Sequence, residues 1–561
     1  MMNIKKTPVL IVAVVLVAIV FRLYRLGDIP VGLHRDEAFL GYNAYSILKT
    51  GRDMSGDILP LHFESFLYSP GGYSYASIPF IAMFGLSAFS VRLASALFGV
   101  ATVVGVYGMV RELFSFKSQS HTSYMTYAES VSVIASFLLA VSPWHINLSR
   151  TATENTVVTF FIVTGVWLYV LFIRKRRLLL LIFSCLVFSI TLTLYQAPRA
   201  FLPLFVPVMF FIYPVRSAKA GLLAVLLYIV FIVLPVVYIL RSPDLSLRIR
   251  TVGIFGNGEV PLLIDEQIRE DGVNSVPVFV ARVFHNKLVG YASAILTNYT
   301  DHFSYRFLFT DEAKPERYHI PSQGLLYVFM LPFLVYGAAS MVKKYPRPGL
   351  LMLSWIVLVP IGSALTFDDV PNMQRTLFMV PPLVILTAYG IVEMYYRTGP
   401  ALRLYGSGIV AMCALYAISS YAHAYVIHQV VHKPFYRQEG YRELVSSVTN
   451  LLPSYEKAVV TNYESAPAIF FLFYNTYDPS MFREQTANVV DYDRVSFGPY
   501  EFSGEECPLH VDPETKLLTG GSNILYVNYA TCPTASPVHV VRTISRGDGT
   551  DVFRIVDVDN Q

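Results

Sequence analysis

Two adjacent carboxylates, Asp36 and Glu37, follow Arg35 in the stretch VGLHRDEAFLGYNAYSILKTG (31–51), directly after the first long apolar run of the chain. A positioned carboxylate can take a proton from a hydroxyl, and an arginine fork can hold an anionic oxygen group through two parallel hydrogen bonds. Arginines of that kind occur in short, otherwise apolar turns: Arg199 in YQAPRA (195–200) and Arg375 in TFDDVPNMQRT (366–376). In such surroundings a charge needs a partner or a water-filled cavity. The segment SPWHINLSRTATE (142–154) adds His145, Arg150 and Glu154, and YRFLFTDEAKPERYHIPSQG (305–324) adds Asp311, Arg317 and His319. Arg150 stands four residues before Glu154, so an ion pair along one helix face is open beside any role toward a ligand. Solvated loop charge is the plain alternative for each of these residues.

The composition says what must position them. Of 561 residues, 54% are hydrophobic and 15% charged, against roughly 25% charged in soluble proteins. The chain therefore reads as a polytopic α-helical membrane protein. Apolar runs long enough to cross a bilayer fall at about 8–24, 88–112, 128–147, 155–172, 178–194, 199–214, 219–240, 323–342, 348–366, 376–396 and 404–424. That is about 11 transmembrane helices, with the pair over 178–214 the least distinct. Basic residues separate the two sides: Lys117, RKRR (174–177), Arg216, KKYPR (343–347), and Arg397 with Arg403 fall in short loops on one side. The positive-inside rule makes that side cytoplasmic, together with the N-terminus. Lys5 and Lys6 precede the first run, but no small-residue cleavage site follows, so it reads as a retained anchor.

The candidate residues collect on the opposite side, which also receives the long segments. Residues 1–429 form the transmembrane domain, with outer loops at about 25–87 and 241–322; within the first, residues 69–86 read as a helix lying in the interface. Residues 430–561 form a soluble extracytoplasmic α/β domain. In it YRELVSSVTNLL (441–452) has helical spacing, KAVVTNY (457–463) and NILYVNY (523–529) read as strands, and VFRIVDVD (552–559) alternates like an edge strand. Cys185 and Cys413 lie in spans and read as packing residues. Cys507 and Cys532 share the outer domain, where a disulfide is open to them. No CxxC, HExxH or Walker-type pattern occurs, which removes support for soluble metalloenzyme and nucleotide-hydrolase readings. The net charge of +4 is distributed as membrane topology requires and does not imply nucleic acid.

The sequence resembles the GT-C glycosyltransferases, in the branch of the protein O-mannosyltransferases and the aminoarabinose (lipid A) transferases. DEAFLGYNAYSILKTG is the most specific match, followed by LSAFSVRLASALFGV (86–100), PWHINLSR and the Y-x-A-P-R turn. The resemblance implies a multi-pass cell-membrane enzyme that moves a sugar, with inversion, from a polyprenyl-phosphate donor to a protein hydroxyl or a lipid at the outer face. Such a transfer needs a base for the acceptor hydroxyl and cations for the phosphate leaving group. On those terms Asp36 is the expected base. Adjacent helix residues point about 100° apart, so Glu37 takes a different part, orienting Arg35, His34 or substrate, or serving as a structural ion pair. Arg199 and Arg375 are the expected donor-phosphate ligands. Arg35, His145, Arg150, Glu154, Asp311, Arg317 and His319 are weaker substrate-binding candidates; His145 could stack against a sugar but reads first as half of a packed interfacial pair with Trp144.

No cofactor is expected. No dense acidic cluster of the D-x-D kind stands out, and FDD (367–369) is a weak approach to one. Arginines can stand in for a cation at the phosphate, so transfer is expected to be metal-independent. Two alternatives remain: an oligosaccharide ligase or polymerase with a pyrophosphate-linked donor, and a lipid-linked sugar flippase or transporter. The second sits less well with spans that show neither mid-membrane charges nor inverted halves.

Overall fold

The structure is a computed structural model, and it describes residues 7–63, 69–115, 122–215, 217–241, 250–256, 258–310, 312–486, 495–512, 514–515 and 517–558. Lys5, Lys6, Lys117, Arg216 and Asp311 lie outside the described residues. The chain packs as two compact units. One comprises residues 1–22, 97–149 and 154–421, and the other residues 23–96, 150–153 and 422–561.

The first unit is helical. Among the described residues six helices are long and apolar enough to cross a membrane: Ala88–Phe114, Glu154–Lys175, Ala218–Leu240, Pro346–Ala364, Leu377–Arg397 and Pro400–Val431. The first and last of these run on into the second unit. A seventh is counted if Tyr127–Ala140 and Pro143–Ser149, bent by 55°, act as one span. Pro143 explains the bend: its ring disfavours helical geometry at the residue before it, yet suits the first position of the next helix. Thr7–Leu23, Leu178–Leu194 and Ala197–Ile212 are shorter apolar helices. The run expected over 323–342 becomes helical only at Met330; ahead of it the Leu326 amide donates to the Leu308 carbonyl at 2.8 Å. Helices Met330–Lys344 and Val380–Arg397 pack through glycine. A Cβ at Gly337 would lie 2.0 Å from the Leu386 carbonyl oxygen, and one at Gly390 2.0 Å from that of Phe333, so only glycine allows this close approach.

The second unit holds the acidic helix Arg35–Thr50, the helix Gly72–Phe84, and a five-stranded sheet. The strands of that sheet are β1 (Lys457–Thr461), β2 (Tyr500–Ser503), β3 (Ile524–Tyr529), β4 (Val538–Ser545) and β5 (Asp551–Val558). Their order is β2-β1-β3-β5-β4, with β1 parallel to β2 and β3, and β5 antiparallel to β3 and β4. The VFRIVDVD stretch is thus an interior strand and not the edge its alternation suggested. The alternation records two unequal faces, and β4 takes the edge. Val459, Leu509, Tyr526, Val538 and Val556 form one core cluster of the sheet. Elsewhere in the unit Tyr441 stacks on Phe470, with ring centroids 4.1 Å apart. Helix Tyr441–Leu451 and β1, β3 and β5 fall where the hydrophobic pattern put them. Cys507 and Cys532 are joined in a disulfide. Cys185 is buried as a packing residue would be, whereas Cys413 is exposed on its helix.

Candidate active site

The stretch GLHRDEAFLGYN is built to start a helix at a fixed place. His34 is the N-cap residue: its Nδ1 accepts the Asp36 amide at 3.2 Å, while the Glu37 carboxylate accepts the His34 amide at 3.3 Å. This reciprocal arrangement satisfies donors that the first helical turn would otherwise leave open. Downstream, Gly41 lets the helix approach its neighbours, since a Cβ there would stand 2.6 Å from Val91 Cγ2 and 2.7 Å from the Phe473 ring. Asn43 accepts the Met54 amide, and Gly51 ends the helix at φ +70°, a conformation glycine adopts without strain.

The two carboxylates have opposite environments. Glu37 is buried, and its oxygens accept four hydrogen bonds: from Arg92 Nε (2.9 Å) and the Ala152 amide (2.7 Å) on Oε1, and from Arg92 Nη2 (2.9 Å) and the His34 amide on Oε2. Burial pushes its pKa up, but Arg92 and the two amides outweigh this and hold it below the ordinary carboxylate value. Arg92 also donates to the carbonyls of Leu26 (3.3 Å), Pro30 (2.9 Å) and Gly32 (2.6 Å). The pair therefore ties the 26–32 loop to the helix start. Gly32 is required there, at φ +72° with Arg437 O only 2.6 Å from where a Cβ would sit.

Asp36 is 47% exposed, with Oδ2 3.3 Å from His34 Nδ1. One ring nitrogen cannot serve amide and carboxylate together. A neutral ring caps the helix, and a protonated ring pairs with Asp36. The Arg35 amide donates to Gln438 Oε1 at 2.7 Å. Arg150 is buried and donates to the carbonyls of Tyr24 (2.6 Å) and Ile29 (2.9 Å), with its guanidinium 5.1 Å from the centre of the Tyr425 ring. It thus holds the same loop as Arg92 from another side. Beside the helix start is a cavity of about 1080 Å³, lined by Gly32, Leu33, Gln438, Arg442, Asn450 and Tyr474 among others.

The remaining candidates belong to the first unit. Arg375 Nη1 donates to Thr366 Oγ1 (2.6 Å) and the Asp368 carbonyl (2.8 Å), and Nη2 reaches both Asp368 carboxylate oxygens at 2.9 Å. Asp368 is 41% exposed, so this partner is replaceable by another anion. The turn rests on His302: Nε2 accepts the Asn372 amide at 3.1 Å and lies 2.9 Å from Ser363 Oγ, while Nδ1 donates to the Asn298 carbonyl. Burial pushes His302 down to about 4, against the Asn298 hydrogen bond and with some help from Arg375. Asn372 in turn accepts the Arg375 amide at 2.8 Å. Arg199 Nε donates to the Leu192 carbonyl at 2.9 Å. The start of its helix packs on Gly362, next to Ser363, where a Cβ would lie 3.3 Å from Ala197 O.

His145 and Trp144 form part of the packing. Both are buried; Trp144 Nε1 donates to the Met373 carbonyl at 2.7 Å, and His145 Nδ1 accepts from Arg22 Nη2 at 2.9 Å. Arg22 is itself buried and bound to the carbonyls of Ala140 and Leu139. Glu154 is buried in the first turn of its helix, where the helix dipole favours an acid. The Arg317 guanidinium lies 5.0 Å from the centre of the Tyr318 ring, and His319 follows on the same turn. The sequence reading missed Arg22, Arg92, His302 and Asp368 as partners, because each pairs across a distance in sequence or turn geometry that spacing does not encode. Among the described residues no group of three or more His, Cys, Asp or Glu could hold a metal ion.

Comparison with known proteins agrees with this architecture. The chain is similar over 98% of both chains to ArnT from Cupriavidus metallidurans, in the apo state (14% identity, TM-score 0.52) and bound to undecaprenyl phosphate (15%, TM-score 0.50). It is also similar to the Archaeoglobus fulgidus oligosaccharyltransferase tethered with an acceptor peptide (12%, TM-score 0.50), over 85% of this chain and 63% of that one. The chain thus spans just under two thirds of that enzyme. A stretch of 100 residues, 18% of this chain, is 29% identical to YkcB of Bacillus subtilis (strain 168), provisionally named a mannosyltransferase, of which it covers 12%. The chain matches no protein-family model. The chain has the fold of these ArnT and oligosaccharyltransferase structures. It is a multi-pass membrane fold.

Proposed function

We propose that this protein is an inverting glycosyltransferase that uses a polyprenyl-phosphate-linked sugar and glycosylates a hydroxyl of a protein or lipid at the outer membrane face. The observation that carries the reading is the division between the carboxylates: Glu37 is saturated by buried donors, and Asp36 keeps a solvent-facing carboxylate on the same rigid turn. In the proposed step the acceptor oxygen bonds to the anomeric carbon as its proton passes to Asp36. The bond from that carbon to the phosphate oxygen breaks, and polyprenyl phosphate leaves with the electron pair. Arg375 would hold that phosphate in exchange for Asp368, with Arg199 as a second cation. The bound undecaprenyl phosphate of the ArnT structure supports this donor class.

Glu37, Arg92 and Arg150 serve as positioning residues. Arg35, Glu154, Asp311, Arg317 and His319 stand behind these in the proposal, as substrate contacts, whereas His145, buried against Arg22, belongs to the packing. Residues 1–429 then make the transferase domain and 430–561 an extracytoplasmic α/β domain, with about 11 spans and a cytoplasmic N-terminus. Purified protein incubated with polyprenyl-phosphate-linked sugars and candidate acceptors should give a glycosylated product by mass spectrometry, with the anomeric configuration inverted by NMR. Donor translocation across vesicles without any product would favour the flippase reading. Product from a pyrophosphate-linked donor alone would favour the ligase reading.

A further inference from the structure

The first unit contains a second, apolar cavity of about 540 Å³, set among four helical segments and remote from the Arg375 turn in sequence. Its walls include Phe137, Phe333, Val392 and Val410, and at one end stand Tyr395 and Arg403. The helix that closes it, Pro400–Val431, has no buried residue in its most apolar 18-residue window. Leu404, Ile409, Met412 and Leu415 on this helix are exposed. Gly406, Ala411 and Ala414 face the cavity. Small residues on a membrane helix ordinarily bring it against its neighbour; here they border open space. A dry void of this size would forfeit contacts along every wall, and water has few polar partners in it.

The end with Arg403 is the basic end of these helices. Lys343, Lys344, Arg397 and Arg403 cluster there. Lys344 and Arg397 share one carboxylate, the buried Glu393. Arg403 has no carboxylate partner among the described residues. Its Nε donates to the Tyr395 carbonyl at 2.9 Å and its Nη2 to that of Thr398 at 3.0 Å, with the guanidinium 4.9 Å from the centre of the Tyr395 ring. The arginine is therefore held in place at the mouth of an apolar groove with its charge unneutralised. We propose that this groove binds an anionic phospholipid, its acyl chain along the Phe137–Val410 walls and its phosphate at Arg403. The inference rests on the membrane fold and not on the transfer reaction.

The test uses the full-length protein in neutral detergent, exchanged into phosphatidylglycerol or phosphatidylcholine and observed by native mass spectrometry. One phosphatidylglycerol should be retained per protein, in preference to phosphatidylcholine. Arg403→Gln should weaken it about tenfold, as loss of a charge-assisted contact does, while phosphatidylcholine binding is unchanged. Gly406→Phe should remove both lipids by filling the groove; the Arg403→Gln arm stands on its own if that variant does not fold. Equal retention of the two lipids, or an unchanged affinity in Arg403→Gln, would overturn the proposal. So would displacement of phosphatidylglycerol by polyprenyl phosphate, which would give the groove to the donor tail. None of these readouts depends on sugar transfer, so a failed transferase assay leaves them intact.

Discussion

The turn that opens the acidic helix and the turn that carries Arg375 both concentrate charge, but they hold it differently. At the acidic turn Arg92 and Glu37 are sealed together, with each carboxylate oxygen accepting two hydrogen bonds and the arginine capping three carbonyls. At the second turn Arg375 leans on Asp368, an acid that solvent already reaches. A charge whose partners are buried is part of the scaffold, because removing either partner strands the other away from water. A charge whose partner is exposed can trade it for a ligand at small cost. Asp36, itself 47% exposed, lies on the solvent side of the same turn in which its neighbour Glu37 is sealed.

The largest expected effect probes the sealed pair. Arg92→Ala should lower stability by about 3–5 kcal/mol, since it leaves Glu37 buried without its counter-charge. The measurement is thermal unfolding of the purified protein in detergent. A shift no larger than that of Asp368→Ala would erase the distinction between the two turns.

The His302 support should give a smaller, pH-dependent effect. Its folded pKa is depressed to about 4, whereas the unfolded chain takes up that proton near pH 6.5. As pH falls below about 6.5 the unfolded state binds a proton that the folded state refuses, so stability declines until about pH 4. The loss should reach roughly 3 kcal/mol by linkage. His302→Gln should flatten this part of the unfolding profile. A profile unchanged by the substitution would mean that the ring is not held neutral.

The smallest effect is the most specific to the second turn. Arg375→Lys keeps the charge but loses the fork, and should weaken polyprenyl-phosphate binding about tenfold with little change in unfolding temperature. Asp368→Asn should do the reverse and tighten donor binding, because it removes the anion that competes for Arg375. Unchanged affinity in both variants would return Arg375 to the scaffold.

Much of this organisation is legible in the sequence where a local rule applies. Apolar length marked most of the long helices, and period-two patterning marked β1, β3 and β5. The RDE triplet marked the acidic turn. What the sequence withheld is pairing. Arg92 was visible only as one residue of LSAFSVRLASALFGV, and its bond to Glu37 spans 55 positions. Nothing in spacing says which of two adjacent acids turns inward. His145 read as half of a packed pair with Trp144, and it is buried there; Arg150 and Glu154 read as an ion pair or loop charges, yet both are buried too, and the partners of His145 and Arg150 lie far along the chain. The edge position of β4 likewise depends on tertiary pairing, which alternation does not report.

Asp36 carries the central claim. In single-turnover reactions with donor already bound, Asp36→Asn should slow product formation by about 10²–10⁴-fold, the usual worth of a general base. Its folding and donor affinity should match the parent protein. Glu37→Gln, assayed beside it, should instead lower the unfolding temperature, and the molecules that remain folded should retain most of their turnover. Near-normal product formation by folded, donor-bound Asp36→Asn protein would contradict the assignment.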